Sequence, residues 1–365
     1  MPRQTFLTSA KAANKNEFYT QYEDIEKEVN SYVEYNPDVF RGKTILLPCD
    51  DPEWSNFTKY FAANFERFGL KKLISTSYAA GWANNHQITF FEQQSPNFDK
   101  MLHDRHGKKF ILERDIDGSG RIDHNDLQFE YMEGDGDFRS KEVTSLRDEA
   151  DFIITNPPFN TLFNEFFSWV IGSGKRFLFI ASINSITYKE VFPYLRDNKA
   201  WLGTGMGRWI SGFIVPSEYE LYGTEAKEEG GKRIVATNSC LWYTNIDHGK
   251  RHEPLQLMSM KDNLKYNKTF RNKMQKKFGD GSQYLRYDNY DALEIPITEA
   301  IPNDYLGVMG VPVTFMGKYN PEQFEILGCS YVYGDPGCHY AGKSWSTTIN
   351  GIDVYKRIFI RKRQS

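Results

Sequence analysis

The 365 residues hold little that would cross-link the chain or bind a metal. Four cysteines, Cys49, Cys240, Cys329 and Cys338, stand far apart, with no Cys-x-x-Cys pair and no ligand spacing with the seven histidines. That excludes a disulfide or zinc framework, and the Cys338-His339 couple does not restore either. Apolar runs are short: none approaches the roughly 20 residues of a membrane helix, and Met1 to Asn16 carries no hydrophobic signal core. A soluble protein of a reducing compartment is expected. No internal repeat or low-complexity segment occurs, and neither charge dominates, since 45 basic residues face 48 acidic ones for a net −3. This balance excludes blanket affinity for nucleic acid but leaves room for a local basic face. What the chain does have is length, enough for two domains with substantial cores.

The chain is organised around Asp151 to Phe159, Asp-Phe-Ile-Ile-Thr-Asn-Pro-Pro-Phe. Asp151 through Thr155 has the apolar, β-branched character of a central parallel strand, and two prolines forbid its continuation. Open α/β sheets place their ligand crevices at such carboxyl ends. There Asn156 supplies a side-chain carbonyl, Pro157 a backbone carbonyl and Phe159 a flat apolar face. Two acceptors converging on one amino group hold an exocyclic NH2 and favour its change from planar to tetrahedral. An aromatic ring beside them stacks on the attached base.

Upstream, Met1 to Lys15 reads as a mobile basic arm. Ile25, Val29 and Val33 recur at helical spacing. Thr44 to Leu47 reads as the first central strand, and Pro48 to Phe57 leads into a helix running through Phe68. A strand, a tight acidic turn and a helix is how a nucleoside cofactor is commonly seated. The usual glycines of that turn are missing, with Glu53, Ser55 and Asn56 in their places. Leu73 to Tyr78 predicts a second strand, ending in Ser75, Thr76, Ser77 and Tyr78 where a ribose-binding carboxylate is expected. Asp115 to Asp126 matches much of a calcium loop, with Gly120 at its sixth position but Asp rather than Glu at its last. An Asp/Gly-rich hairpin turn is the favoured account, with no metal.

Downstream, Leu162 to Ile171 predicts an apolar helix and Arg176 to Ile183 a buried strand. Phe213 to Pro216 and Ile234 to Tyr243 predict a strand pair at the antiparallel edge of the same sheet, joined by a charged loop, Gly223 to Lys232. Composition shifts near His248: between Lys250 and Phe278 nine Lys or Arg stand against two acidic residues. Basic heads interleaved with amides suit a phosphate backbone and base edges. The candidates are Lys265, Asn267, Lys268, Arg271, Asn272, Lys276 and Lys277. Val311 to Phe315 and Phe324 to Cys329 supply this region with its own apolar core.

Several of these stretches together resemble one family. Asn156-Pro157-Pro158-Phe159 looks like the catalytic tetrapeptide of S-adenosyl-L-methionine-dependent amino-methyltransferases, in the form typical of adenine in DNA. Cys49-Asp50-Asp51-Pro52 followed by Ser55-Asn56-Phe57, with Glu17-Phe18-Tyr19-Thr20-Gln21 upstream, resembles the EcoRI-type adenine methyltransferase branch. The resemblance implies an α/β, Rossmann-like methyltransferase fold. Its sheet is expected to be mixed, mostly parallel and seven-stranded with an antiparallel edge strand, followed by a C-terminal α+β target-recognition domain. The implied domains are a flexible arm at 1–15, a catalytic domain at 16–247 and a recognition domain at 248–365.

By the same resemblance Asn156, Pro157 and Phe159 are catalytic. Phe18, Tyr19, Thr20, Asp50, Asp51, Pro52, Ser75, Asp137, Phe138 and Asn156 hold the cofactor, with Asp137 on the adenine amino group and Phe138 beside the ring. Phe213 packs against the target base. The implied substrate is double-stranded DNA, methylated at adenine N6 in a bacterial or phage-infected cytoplasm, either beside a cognate restriction endonuclease or as an orphan enzyme without one; a monomer is expected. Two rivals are an enzyme performing the same chemistry on RNA or a protein glutamine, and a non-catalytic nucleic-acid-binding homologue. The large basic C-terminal region weighs against the glutamine reading.

Overall fold

The computed structural model describes residues 19–51, 55–79, 98–123, 126, 128–157, 162–206, 210–215, 226–229, 231–235, 239–330 and 347–364. The basic arm, Phe18, Pro52, Pro158, Phe159 and Cys338 lie outside the described residues.

Eighteen strands occur among the described residues: β1 (Tyr19–Thr20), β2 (Thr44–Leu47), β3 (Lys72–Ser77), β4 (Lys108–Leu112), β5 (Gln128–Tyr131), β6 (Phe152–Thr155), β7 (Arg176–Ser182), β8 (Trp201–Met206), β9 (Phe213–Val215), β10 (Ala226–Glu229), β11 (Lys232–Val235), β12 (Cys240–Thr244), β13 (Leu293–Glu294), β14 (Met309–Pro312), β15 (Phe324–Cys329), β16 (Thr347–Ile349), β17 (Ile352–Val354) and β18 (Arg357–Lys362). The main sheet has eight of them, in the order β5-β4-β3-β2-β6-β7-β12-β8. At its centre β3, β2, β6 and β7 run parallel. Every residue of β2 and of β6 is buried, which is why both read as unbroken apolar runs.

The expected seven-stranded, mostly parallel sheet is therefore corrected. β4 runs antiparallel to β3, and β5 antiparallel to β4. The Asp/Gly-rich segment reverses the chain between β4 and β5, adding a hairpin where a crossover helix would have kept the strands parallel. On the other side β12 pairs antiparallel with β7, with Trp242 opposite Ile180.

The predicted strand Ile234 to Tyr243 is likewise two strands in two sheets. β11 joins β9, β1 and β10 in a separate four-stranded sheet, while β12 belongs to the main one. Thr237 and Asn238 interrupt the apolar run between them. Part of the expected charged loop is strand β10, whose Glu228 lies opposite Arg233 of β11 in register and pairs with it at 3.4 Å. Opposite charges across a ladder support pairing that an apolar pattern cannot announce.

Helix α1 (Tyr22–Tyr35) buries Ile25, Val29 and Tyr32 on one face. Its Glu28 is buried because it is satisfied, accepting from Tyr32 Oη at 2.6 Å and Gly205 N at 3.0 Å. Helix α2 (Asn56–Ala63) is capped by Ser55, whose hydroxyl accepts from Phe57 N at 3.1 Å. The single helix expected through Phe68 breaks at Asn64, and the second piece ends on Gly69 in the left-handed region. Helices α3 (Lys141–Glu149) and α4 (Phe163–Gly172) precede and follow β6. Phe40, Phe57, Tyr60, Phe61, Phe68, Phe152 and Trp242 dominate the first core.

The chain forms two compact units, one of residues 1–183 and 205–247, the other of residues 184–204 and 248–365. Asn184 to Thr204 thus clusters with the second unit, whereas the sequence reading kept it with the first. The second unit carries helices α5 (Met260–Tyr266) and α6 (Lys268–Phe278) and the sheet β13-β14-β18-β15. Inside it Arg357 pairs with the buried Glu294 through bonds of 2.5 and 2.9 Å, and Tyr287 donates to the same carboxylate. A buried ion pair persists only when saturated in this way.

Candidate active site

β2 and β6 are adjacent and parallel, so their carboxyl ends open on the same edge of the sheet. From β2 come Cys49, Asp50 and Asp51; from β6 come Asn156 and Pro157. Asp50, only 4% exposed, accepts from Thr155 Oγ1 at 2.6 Å and from Ser55 Oγ at 2.7 Å. The backbone N–H of Asn156 donates to the same carboxylate. Its main chain is equally fixed: Asp50 N donates to Thr76 O at 3.0 Å, and the Ser75 hydroxyl donates to Asp50 O. Burial pushes the Asp50 carboxyl up to about 6, against the three hydrogen bonds that favour the anion. Burial, followed by the Asp50 charge, also raises the Cys49 thiol.

The end of β3 forms the next part of this edge. Ala79 N donates to Asp135 O at 2.8 Å and Tyr78 Oη to Asp135 Oδ2 at 3.2 Å. Gly136 makes the approach possible: its φ is +81°, and a Cβ there would stand 2.2 Å from Ser77 O. No other residue satisfies both conditions. Directly after it, Asp137 accepts from the backbone and guanidinium of Arg139, which hold its carboxyl below the usual range. Arg139 is itself anchored on Glu165 at 2.8 Å. Asp137 lies near enough to Cys49 and Tyr78 for its charge to raise both.

Lys108 is a feature that the sequence did not announce. It lies opposite Ser77 in the ladder, is 5% exposed, and places Nζ 3.6 Å from Asp51 Oδ2. Its only signal is the first of two lysines, Lys108 and Lys109, that open a strand otherwise apolar. Two hydroxyls, Thr20 Oγ1 and Ser77 Oγ, are buried with no hydrogen-bond partner among the described residues. Buried polar atoms are ordinarily satisfied, so these two stand out. Thr20 is stitched to the start of α2, its carbonyl accepting from Asn56 Nδ2 at 2.8 Å.

The structure thus gathers Asp50, Asp51, Asn156 and Pro157 at adjoining strand ends. Tyr19 and Thr20 form β1, paired with Ile214 and Phe213. Three of the residues assigned from the sequence are enclosed by the protein. Ser75 is wholly buried, with its hydroxyl shared between Asp50 O and Thr58 Oγ1, and so braces the loop from behind. Phe213 is wholly buried in the first core, on a strand that lies between β1 and β11. Phe138 is 5% exposed, its ring packed edge-on against Phe166 and Trp169. Pro52, Phe18 and Phe159 lie outside the described residues.

In the second unit Phe270 and Met274 turn inward from α6, while Lys268, Asn272, Lys276 and Lys277 are exposed and Arg271 is half-buried. Positions 268, 272 and 276 fall four apart and share one helical face. Lys265 is exposed on α5. Asn267 differs: its side-chain oxygen accepts from Phe270 N at 3.0 Å, capping α6.

The Asp115 to Asp126 segment closes the β4–β5 hairpin, as expected. Asp126 accepts from Ile116 N at 2.6 Å, Asp123 N at 2.9 Å and Asp117 N at 3.1 Å. Asp115 accepts from Gly118 N at 2.7 Å and Gly120 N at 2.8 Å. Asp115, Asp117 and Asp126 bring carboxylate oxygens within 4.8 Å of one another.

The sequence matches the family described as adenine-specific methyltransferase EcoRI over residues 6–363. It is 45% identical to the Type II methyltransferase M.EcoRI of Escherichia coli, over 98% of this chain and 96% of that one. The Type II methyltransferase M.MgeORF184P of Mycoplasma genitalium is 32% identical over 97% of this chain and 98% of its own. M.MpnI of Mycoplasma pneumoniae is 29% identical over 89% of this chain and 85% of its own. No solved structure matches. With nearly its whole length covered, the chain belongs to the EcoRI family of adenine-specific methyltransferases.

Proposed function

We propose that this protein methylates the N6 amino group of adenine at a specific site in double-stranded DNA, using S-adenosyl-L-methionine, as the modification activity of a restriction-modification system. The observation that carries the reading is the junction of β2 and β6, where Asp50 and Asp51 adjoin Asn156 and Pro157. The donor's polar groups fit the residues present. Thr20 and Ser77 offer buried hydroxyls in want of a partner, and Asp51 and Asp137 offer carboxylates. Tyr19, Phe18 and Pro52 complete the binding set by resemblance.

When bound, the donor supplies a methyl group activated on a sulfonium. The chain's own part is to hold the acceptor nitrogen. Adenine must leave the duplex stack, because its amino group is otherwise paired. The Asn156 side-chain carbonyl and the Pro157 backbone carbonyl accept hydrogen bonds from the two amino N–H groups, turn the nitrogen lone pair outward and stabilise the positive charge that develops there, which is discharged when one of these protons passes to solvent. Phe159 stacks on the base. The rate comes from placement and electrostatics.

The basic face of α5 and α6, with Lys265, Lys268, Arg271, Asn272, Lys276 and Lys277, suits a phosphate backbone. A monomer suffices, since each strand of a palindrome can be methylated in a separate event. The expected setting is a bacterial or phage-infected cytoplasm, beside a cognate endonuclease. Labelled methyl groups offered to duplex DNA, RNA and protein in parallel test the reading. Incorporation into adenine of duplex DNA alone supports it, and incorporation elsewhere rejects it.

A further inference from the structure

Resting on that reading, we propose that Asp50 is a positioning residue for the catalytic turn, its carboxylate fixing the Thr155–Asn156 end of β6 rather than touching the methyl donor. Three donors from two other segments converge on it: Ser55 Oγ at the cap of α2, Thr155 Oγ1 on β6, and the backbone N–H of Asn156. With 4% exposure and both oxygens occupied by protein donors, it has little left to offer a ligand. Asp51 differs: it is half-buried and stands 3.6 Å from Lys108 Nζ, the less enclosed of the two carboxylates described on this loop.

The backbone of Asp50 is held from behind by Thr76 O and the Ser75 hydroxyl, and Ser75 is in contact with Thr58 of α2. The carboxylate therefore carries the rigidity of β3 and α2 across to Asn156. Anchoring the Asn156 N–H fixes where its side chain departs and where the Pro157 carbonyl follows. Misplacement by about 1 Å in such a pair of acceptors costs on the order of 100-fold in rate.

Among the described residues, the charged and titratable groups around Asp50 are Cys49 and Asp51 on its own loop, with Asp137 near Cys49 and Lys108 paired with Asp51. Ser55, Thr155 and Asn156 are neutral. Ionised, Asp50 accepts all three bonds; protonated, it must donate one, and the turn loses an acceptor. With its carboxyl titrating at about 6, that exchange falls within an accessible pH range.

The test uses the full-length chain, S-adenosyl-L-methionine and unmethylated genomic DNA. For Asp50→Asn, turnover is expected to fall about 100-fold while the donor dissociation constant stays within about 3-fold of wild type. The acid limb of wild-type kcat near pH 6 should be absent in this variant. Thr155→Val removes one donor and leaves the carboxylate; it should lose about 10-fold in kcat with donor binding unchanged, and it decides the matter if Asp50→Asn fails to fold. Unchanged turnover in either folded variant, donor affinity falling in step with turnover, or an acid limb that persists in Asp50→Asn overturns the proposal. A wild-type chain that binds no donor and transfers no methyl overturns the functional reading itself.

Discussion

Thr155 Oγ1 donates to Asp50 Oδ2 at 2.6 Å, joining the ends of two parallel strands across 105 residues of sequence. Each partner is fully held elsewhere: Thr155 by the ladder between β6 and β7, Asp50 by Ser55 and by the backbone of β3. The acidic loop and the Asn-Pro turn are therefore one rigid assembly. This geometry accounts for a buried carboxylate that would otherwise be a liability.

Stability should carry the mark of that burial. The Asp50 carboxyl titrates at about 6 in the folded chain against an ordinary 3.8, because burial outweighs its hydrogen bonds. The native state thus holds an additional proton between these values. Its contribution is complete below the ordinary value and is lost as pH rises through about 6, on the order of 3 kcal/mol in all. Asn at position 50 cannot titrate. Relative to Asp50→Asn, the wild type is expected to lose stability by about that amount between pH 4 and 7, measured by denaturant unfolding. A pH-independent difference would contradict the burial argument.

Gly136 and Gly118 provide a matched pair. Both have positive φ, +81° and +74°, but a Cβ at Gly136 would meet Ser77 O at 2.2 Å whereas nothing lies within 4 Å of one at Gly118. Strain alone costs about 1 kcal/mol, so Gly118→Ala should destabilise by that much. Gly136→Ala adds a backbone clash and should cost about 3 kcal/mol, with weaker donor binding because Asp137 moves with it. Thermal melts and donor titrations check both; equal effects would mean that the close approach to Ser77 is not tight.

The basic face of α6 makes an electrostatic prediction. Lys268 and Lys276 are exposed on one face and neither is needed for the core. Replacing both by alanine should leave stability within about 0.5 kcal/mol. The slope of log affinity against log salt for duplex DNA should flatten by about 2. An unchanged slope would move the DNA contact to another surface.

What could be read from the sequence follows from how each residue is held. Thr44 to Leu47 and Phe152 to Thr155 are buried on both faces, so composition alone marks them as central strands. Asn156 stands out because two prolines end its strand. The Thr155–Asp50 bond had no local signal, since its partners meet only in the folded sheet. Lys108 is similar, its role set by Asp51 on another strand. β10 was hidden because Glu228 and Arg233 stabilise it by charge rather than by apolar alternation. The burial of Phe213 also had no local signal, since the small sheet that encloses it is assembled from distant segments.

The central claim is that Asn156, at the carboxyl end of β6, holds the amino group being methylated. Asn156→Ala removes the side-chain acceptor and leaves the backbone N–H that Asp50 needs. Donor binding by calorimetry and methyl transfer to duplex adenine, measured on the same preparation, decide the claim. The account predicts a donor affinity within about 3-fold of wild type with transfer reduced at least about 100-fold. Transfer at the wild-type rate would contradict it.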